Sequence, residues 1–274
     1  MKMENLFTGS SALAQAARYD ILRMTHSAKA SHVGSGLSCI DILSVLYHSI
    51  ANIDPEDPTY PDRDRIIISK GHAAAAVYAV LANKGFFSKT ELAEYCKNGS
   101  RLIGHVTTTV PGVEFSTGSL GHGLPFSVGL ALAGQRDHST RRIFTLLSDG
   151  ELDEGSNWES ALIANHYDLK NLTVIIDRNR LQSLTTTEET IALEPLAAKW
   201  EAFGWDVLSV DGHNHEALSE SLTTKQQKPT CIIAETTKGK GVPFMENKVL
   251  WHYRSPNDDD LAAAFSALKQ GGPK

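Results

Sequence analysis

Residues 148–182, SDGELDEGSNWESALIANHYDLKNLTVIIDRNRLQ, decide the reading of this chain. Just before them Arg142 to Leu147 is apolar and runs into Ser148-Asp149-Gly150, while Leu172 to Ile176 is a second apolar run that ends in Asp177-Arg178-Asn179. Short apolar runs with polar tips are the pattern of strands buried on both faces of a parallel sheet. Between them Trp158, Ala161, Leu162 and Asn165 recur at helical spacing, which predicts a βαβ unit. The ends of neighbouring parallel strands lie together at the carboxyl edge of a sheet, so Asp149 and Asn179 are expected side by side.

That pairing suits a magnesium ion that grips a diphosphate. Mg²⁺ takes hard oxygen ligands at about 2.0–2.1 Å and draws few of them from protein, so a carboxylate, an amide and one backbone carbonyl suffice. Gly150 lets the backbone approach phosphate oxygens, and the helix that follows turns its N-terminus toward the anion. Asp-Gly also ends many strands without binding anything, and asparagine after a strand is often a turn former. Spacing favours the first reading, because Asp149 and Asn179 stand one crossover apart.

The remaining chain alternates helices and strands without a linker, which predicts one domain over residues 1–274. Helices are expected over 10–28, 40–51, 73–83, 125–135, 195–203 and 216–224, and a short one after Asn257; strands over 65–68, 206–210 and 230–234. The 125–135 helix, with Pro125 at its start, is expected to pack closely through Gly129 and Ala133. At 274 residues and 41% hydrophobic the chain can bury one large core. A net charge of −6 without a basic block gives no reason to expect nucleic acid. Lys2, Glu4, Gln15 and Arg18 interrupt the N-terminal apolar residues, so a signal peptide is not expected, and no run approaches the roughly 20 apolar residues that cross a bilayer. Cys39, Cys96 and Cys231 are isolated and read as reduced, buried thiols, in keeping with a cytoplasmic location.

Four histidines stand out, three of them in glycine-containing or strand-end contexts. His32 lies in Ala30–Gly36, read as a small-residue loop between helices; His72 follows a strand in Ser69-Lys70-Gly71-His72-Ala73; His105 follows Gly104; His252 lies in Trp251-His252-Tyr253. Glycines in Ser116–Gly123 permit backbone-to-ligand contact, although a loop that caps a helix has the same composition. The lysines of Thr237–Gly241 are equally compatible with solvent. Glu154 is placed to start a helix, where an acid favours the dipole.

The stretch Ser148–Asn179 resembles the thiamine-diphosphate motif and, through DEGSNWESA, more narrowly the transketolases. SHVGSGLS, SKGHA, GHV with STGSLGHG, and TTKGKG with WH match in order, so the resemblance covers His32 to His252. It implies an α/β thiamine-diphosphate-binding fold, a mostly parallel central sheet with helices on both faces. It implies thiamine diphosphate and Mg²⁺ as cofactors, with Asp149, Asn179 and the Leu181 carbonyl on the metal and Gly150 at the phosphates. By the same resemblance the Gly118 carbonyl contacts the aminopyrimidine, Leu120 lies beneath the cofactor, and Thr237–Gly241 is a flap over it. His72 contacts the diphosphate and the intermediate, His32 and His252 the donor hydroxyls and carbonyl, and His105 the donor's first hydroxyls. Glu154 is then the residue that connects two cofactor sites across a subunit interface. Three departures from the family pattern are Ser148 for the first glycine of the motif, Val106 after Gly104-His105, and His122.

Transketolases run to more than twice this length, so the resemblance implies an N-terminal, diphosphate-binding subunit that acts with a separate C-terminal, pyrimidine-binding subunit. That partner supplies the activating glutamate, most simply in an α₂β₂ assembly, and the substrates are sugar phosphates: a ketose donor and an aldose acceptor. Two alternatives share Asp149 and Asn179: the α subunit of a 2-oxo acid dehydrogenase or decarboxylase, which needs no set of four histidines, and a non-catalytic subunit that stabilises a partner.

Overall fold

In the computed structural model, five parallel strands form a sheet in the order β1-β2-β3-β5-β4, comprising β1 (Arg65–Ile68), β2 (Ile143–Ser148), β3 (Leu172–Arg178), β4 (Asp206–Asp211) and β5 (Thr230–Glu235). The described residues are 3–224 and 227–271, so both ends of the expected 1–274 domain lie outside them. Register pairs Ser148 of β2 with Asp177 of β3, and Arg178 of β3 with Glu235 of β5. The polar tips of four strands thereby collect at one edge.

Alternation along the strands sorts the core into two layers, as a sheet covered on both faces requires. Phe144, Leu146, Ile175 and Ile232 face a cluster built from α1 (Met3–Ser27), α2 (Val33–Val45) and α3 (Ala74–Lys84), joined by α8 (His215–Thr223) and α9 (Asp258–Gln270). Ile143, Leu147, Val174, Ile176 and Ile233 face the other, formed by α4 (Gly123–Arg136), α5 (Gly155–His166) and α7 (Leu196–Ala202). A single turn, α6 (Thr187–Thr190), held by a capping box between Thr186 and Glu189, follows β3.

Several expectations are corrected. The second helix starts at Val33, not Ile40, and its C-terminal extension Leu46–Ile50 is a π-helical turn. Gly34 and Gly36 are therefore in the helix rather than in a loop: a Cβ on Gly34 would press on the Trp251 carbonyl, and Gly36 packs on Ile21 and Ala76. Val33–Ile50 is also apolar and long enough to cross a membrane by length and composition, contrary to the sequence reading, but 89% of it is buried within this fold. On α4 the packed positions are Leu124, Ser127, Ala131 and Gly134, whereas Gly129 and Ala133 are exposed. On α5 Ala161 is buried and Leu162 is exposed. Cys39 and Cys231 are buried thiols, but Cys96 is exposed.

Candidate active site

A cleft of about 250 Å³ opens at the carboxyl edge. Asp149, Gly150, Asn179, Leu181, Gly118, Leu120, His32, His72, His105 and His252 all line it. Glu154 does not: it is exposed at the start of α5, its side chain against Gly121, so the structure leaves it outside the cleft.

The strand tips are tied to one another from below. Asp149 accepts the Gly150 N–H at 2.8 Å and the Arg180 N–H at 2.5 Å, and Arg178 is buried beneath it at 3.4 Å. Asn179 uses Nδ2 on Asp177 at 3.3 Å and accepts the Leu181 N–H at 3.1 Å. Asp177 does not line the cleft; it accepts from Ser38, Thr236 and Lys70 and so orders the loop.

Two lysines are central: Lys70, which the sequence reading did not single out, and Lys238, whose compatibility with solvent the structure corrects, since it is buried. Lys70 is 1% exposed and ion-paired with Asp177; Lys238 is 2% exposed and donates to the Leu181 carbonyl at 3.0 Å, to that of Gln182 at 3.2 Å and to His252 Nδ1 at 3.0 Å. Burial works against charge on Lys70, but Asp177 outweighs it and holds the ammonium above its usual range. Lys238 is lowered to about 8 by burial and by Lys70. Lysine is rarely buried without a counter-charge, and the signal in the sequence is that both stand beside glycine in strand-end loops.

The histidine rings cluster. His32 lies 5.2 Å from His72, 6.0 Å from His105 and 5.0 Å from His252, centroid to centroid. His32 is set by a left-handed backbone conformation, φ 71°, at the N-cap of α2, with its N–H on the His252 carbonyl at 2.7 Å. His72 follows β1, where Gly71 is required because a Cβ would run into the Thr117 carbonyl. Burial, then His105 and the lysines, lower His32 to about 4; burial, then Lys238 and His32, lower His252 to about 3. His72 lies well below its usual value, from burial and Lys70. These three rings are neutral at physiological pH. A protonated Lys238 donates to His252 Nδ1, so His252 presents Nε2–H as a donor.

The donor set fits a metal diphosphate. Burial and Asp177 push Asp149 up to about 6, the sign of a carboxylate whose charge is under-compensated by the groups around it. The Leu181 and Gln182 carbonyls already hold a cation, the Lys238 ammonium. Carboxylate, amide and carbonyl oxygens are hard ligands of the kind Mg²⁺ selects, and buried lysines complement phosphate.

A parallel α/β sheet with hard oxygen donors, buried ammonium groups and neutral imidazoles at its carboxyl edge is a diphosphate-cofactor domain. A family profile described as "Transketolase, thiamine diphosphate binding domain" matches residues 10–270, and the chain belongs to that family. An apulose-4-phosphate transketolase subunit of Phocaeicola vulgatus is 42% identical over 256 residues, 92% of this chain and 91% of that protein. A 6-deoxy-6-sulfo-D-fructose transketolase subunit of a Clostridium species is 42% identical over 246 residues, 88% of this chain and 89% of that one. The crystal structure of Campylobacter jejuni transketolase superposes with a TM-score of 0.89 at 29% identity, over 98% of this chain but 43% of the other. The chain is a transketolase-type, thiamine-diphosphate-binding subunit for ketol transfer, and the 2-oxo acid dehydrogenase alternative is set aside.

Proposed function

We propose that this subunit transfers a two-carbon unit from a ketose phosphate to an aldose, using Mg²⁺ and a separate pyrimidine-binding subunit in an α₂β₂ assembly. The observation that carries the reading is that one cleft holds a hard-oxygen trio beside four clustered histidine rings. Asp149, Asn179 and the Leu181 carbonyl would hold the metal, and Lys70 and Lys238 would face the diphosphate. Bound thiamine diphosphate supplies the nucleophilic carbon and the electron sink for breaking the bond beside the ketose carbonyl. His32 and His72, both neutral, accept protons or hydroxyl hydrogen bonds from the sugar; His252 offers Nε2–H to the carbonyl oxygen. His105 and the Gly118 and Leu120 backbone shape the wall against which cofactor and donor lie.

Support for the partner comes from the rim. Tyr253, 60% exposed, lines the cleft, and Leu184, 82% exposed, follows Ser183, which lines it too. Large apolar side chains left exposed at the mouth of a site suit an interface. The exposed carboxylate of Glu154, at the start of α5, suits a role between subunits rather than on the cofactor. The two subunit relatives carry different sugars in their names, in keeping with a sugar choice made largely by the partner.

The test is to purify this chain and its partner separately, mix them, and screen ketose donors with aldose acceptors. Ketol transfer is expected from the mixture in the presence of Mg²⁺ and to vanish with Asp149→Ala. Full transfer by this chain alone would defeat the need for a partner, and full transfer by the Asp149→Ala mixture would defeat the site.

A further inference from the structure

A second cleft, also of about 250 Å³, is lined by Gln15, Arg18, Asp41, His213, His215 and Lys240, none of which borders the first. At its base Asp41 accepts from Arg18 Nη2 at 2.6 Å, from His213 Nδ1 at 2.7 Å and from His215 Nε2 at 3.0 Å. The Thr237 N–H donates to His213 Nε2 at 2.8 Å, which fixes the His213 proton on Nδ1, facing Asp41. Both Asp41 oxygens are thereby engaged. Burial opposes charge on Asp41, but Arg18 and the two imidazoles outweigh it and hold the carboxyl well below the usual range.

The positive side of this cluster is not fully used. Arg18 is 8% exposed, and its Nε–H, beside Gly241, has no acceptor; a buried donor left unpaired costs about 1–3 kcal/mol. The Lys240 ammonium has no partner among the described residues. Gln15 spends its amide N–H on the Leu268 carbonyl. The other acid on this loop, Glu246, is turned to the Gly241 N–H at 3.0 Å and does not line the cleft. Two cations thus face one opening whose single carboxylate is already satisfied, an arrangement that selects anions.

We propose that this cleft binds a small oxyanion, a phosphate or carboxylate group, between Arg18 and Lys240. The first cleft also carries lysines, so the experiment must report where an anion binds. Histidine ring signals in ¹H–¹⁵N spectra of the full chain provide that, because His213 and His215 line only the second cleft and His32, His72, His105 and His252 only the first. Inorganic phosphate and, separately, malonate are titrated near neutral pH at constant ionic strength.

A saturable shift of the His213 and His215 signals is expected, with affinity about fivefold or more weaker in Lys240→Ala, whose partly exposed position spares the fold. Arg18→Lys, which keeps the charge but loses the planar fork, is expected to weaken binding as well. A response to phosphate alone identifies a phosphoryl ligand; a response to both identifies a general oxyanion site. Shifts confined to the four histidines of the first cleft, no saturation with either anion, or an unchanged response in Lys240→Ala would overturn the proposal.

Discussion

Lys70, which lines the first cleft, and Asp177, which lies behind it, form an ion pair with almost no exposure, 107 residues apart in sequence. Asp177 leaves β3 and Lys70 follows β1, so the pair binds two strand ends across the intervening β2. Removing one member of a buried pair strands the other charge. Asp177→Ala is therefore expected to lower stability by about 3–5 kcal/mol, measured by urea unfolding, with Asp177→Asn less damaging because the amide oxygen still accepts from Lys70. A loss within 0.5 kcal/mol, on the order of a surface substitution, would mean that the pair is not strutting the site.

Lys238 couples cofactor affinity to pH. Its ammonium is lowered to about 8, so in the free subunit it loses its proton as pH rises through that value. Bound diphosphate favours the charged form, and linkage then requires affinity to fall as pH rises past about 8 while remaining flat below it, as far as this residue is concerned. Calorimetric titration of thiamine diphosphate into the reconstituted complex between about pH 7 and 9.5 should show the decline, and Lys238→Met should bind more weakly with this limb absent. An identical limb in Lys238→Met would assign it to another group.

The neutral histidines make the chain sensitive to mild acid. His32 and His252 have folded values of about 4 and about 3, below the 6.5 of an unfolded chain. Between those limits the unfolded state binds more protons, so stability is fully present above about pH 6.5 and is lost as pH falls toward 4. The slope is expected to stay below about 1.4 kcal/mol per pH unit for each ring, since neither is fully buried. Urea midpoints measured from neutral pH to about 4.5 should decline for the wild type and decline less steeply for His32→Gln/His252→Gln, in which His72 still contributes. A double variant with the same decline would place the acid sensitivity elsewhere.

The β2-α5-β3 unit was legible because strands buried on both faces write themselves as uninterrupted apolar runs, and their polar tips mark where the sheet ends. Asp149, Asn179 and His72 were legible for the same reason, since they stand at strand ends, and His105 stands beside Gly104, whereas His32 and His252 were legible only through the resemblance of the segments around them. The start of α2 was not, because Gly34 and Gly36 suggest a loop locally, whereas the structure uses them to bring helix backbone close to Trp251 and Ala76. Nor was the packed face of α4, whose small residues are distributed all round and whose buried stripe depends on contacts with Ser69 and Asn171. Lys70 was not singled out and Lys238 was read as compatible with solvent, because a buried lysine is defined by partners from distant segments, Asp177 and the Leu181 and Gln182 carbonyls. Ser148, the departure from the motif, is accommodated: the strand stays extended there, and its N–H donates to Glu151 at 3.2 Å.

Glu151 follows from that last contact. Its side chain is completely buried, and it accepts from the Ser69 hydroxyl, from the Gly121 N–H at 2.9 Å and from the Ser148 N–H. Each donor belongs to a different wall of the cleft: Ser69 leads to Lys70 and His72, Gly121 to Gly118 and Leu120, and Ser148 to Asp149. Burial raises the carboxyl and these donors draw it back. Glu151 touches no reacting atom by this geometry; it positions three loops. Glu151→Ala leaves buried donors unpaired and is expected to cost about 2–4 kcal/mol in urea unfolding, and in the reconstituted enzyme to raise the KM for cofactor by about tenfold or more with a smaller change in kcat. Glu151→Gln, which keeps one acceptor oxygen, should recover part of both losses. Equal losses in the two variants, or a fall in kcat at unchanged cofactor KM, would argue that Glu151 acts on the chemistry rather than on the placement of the walls.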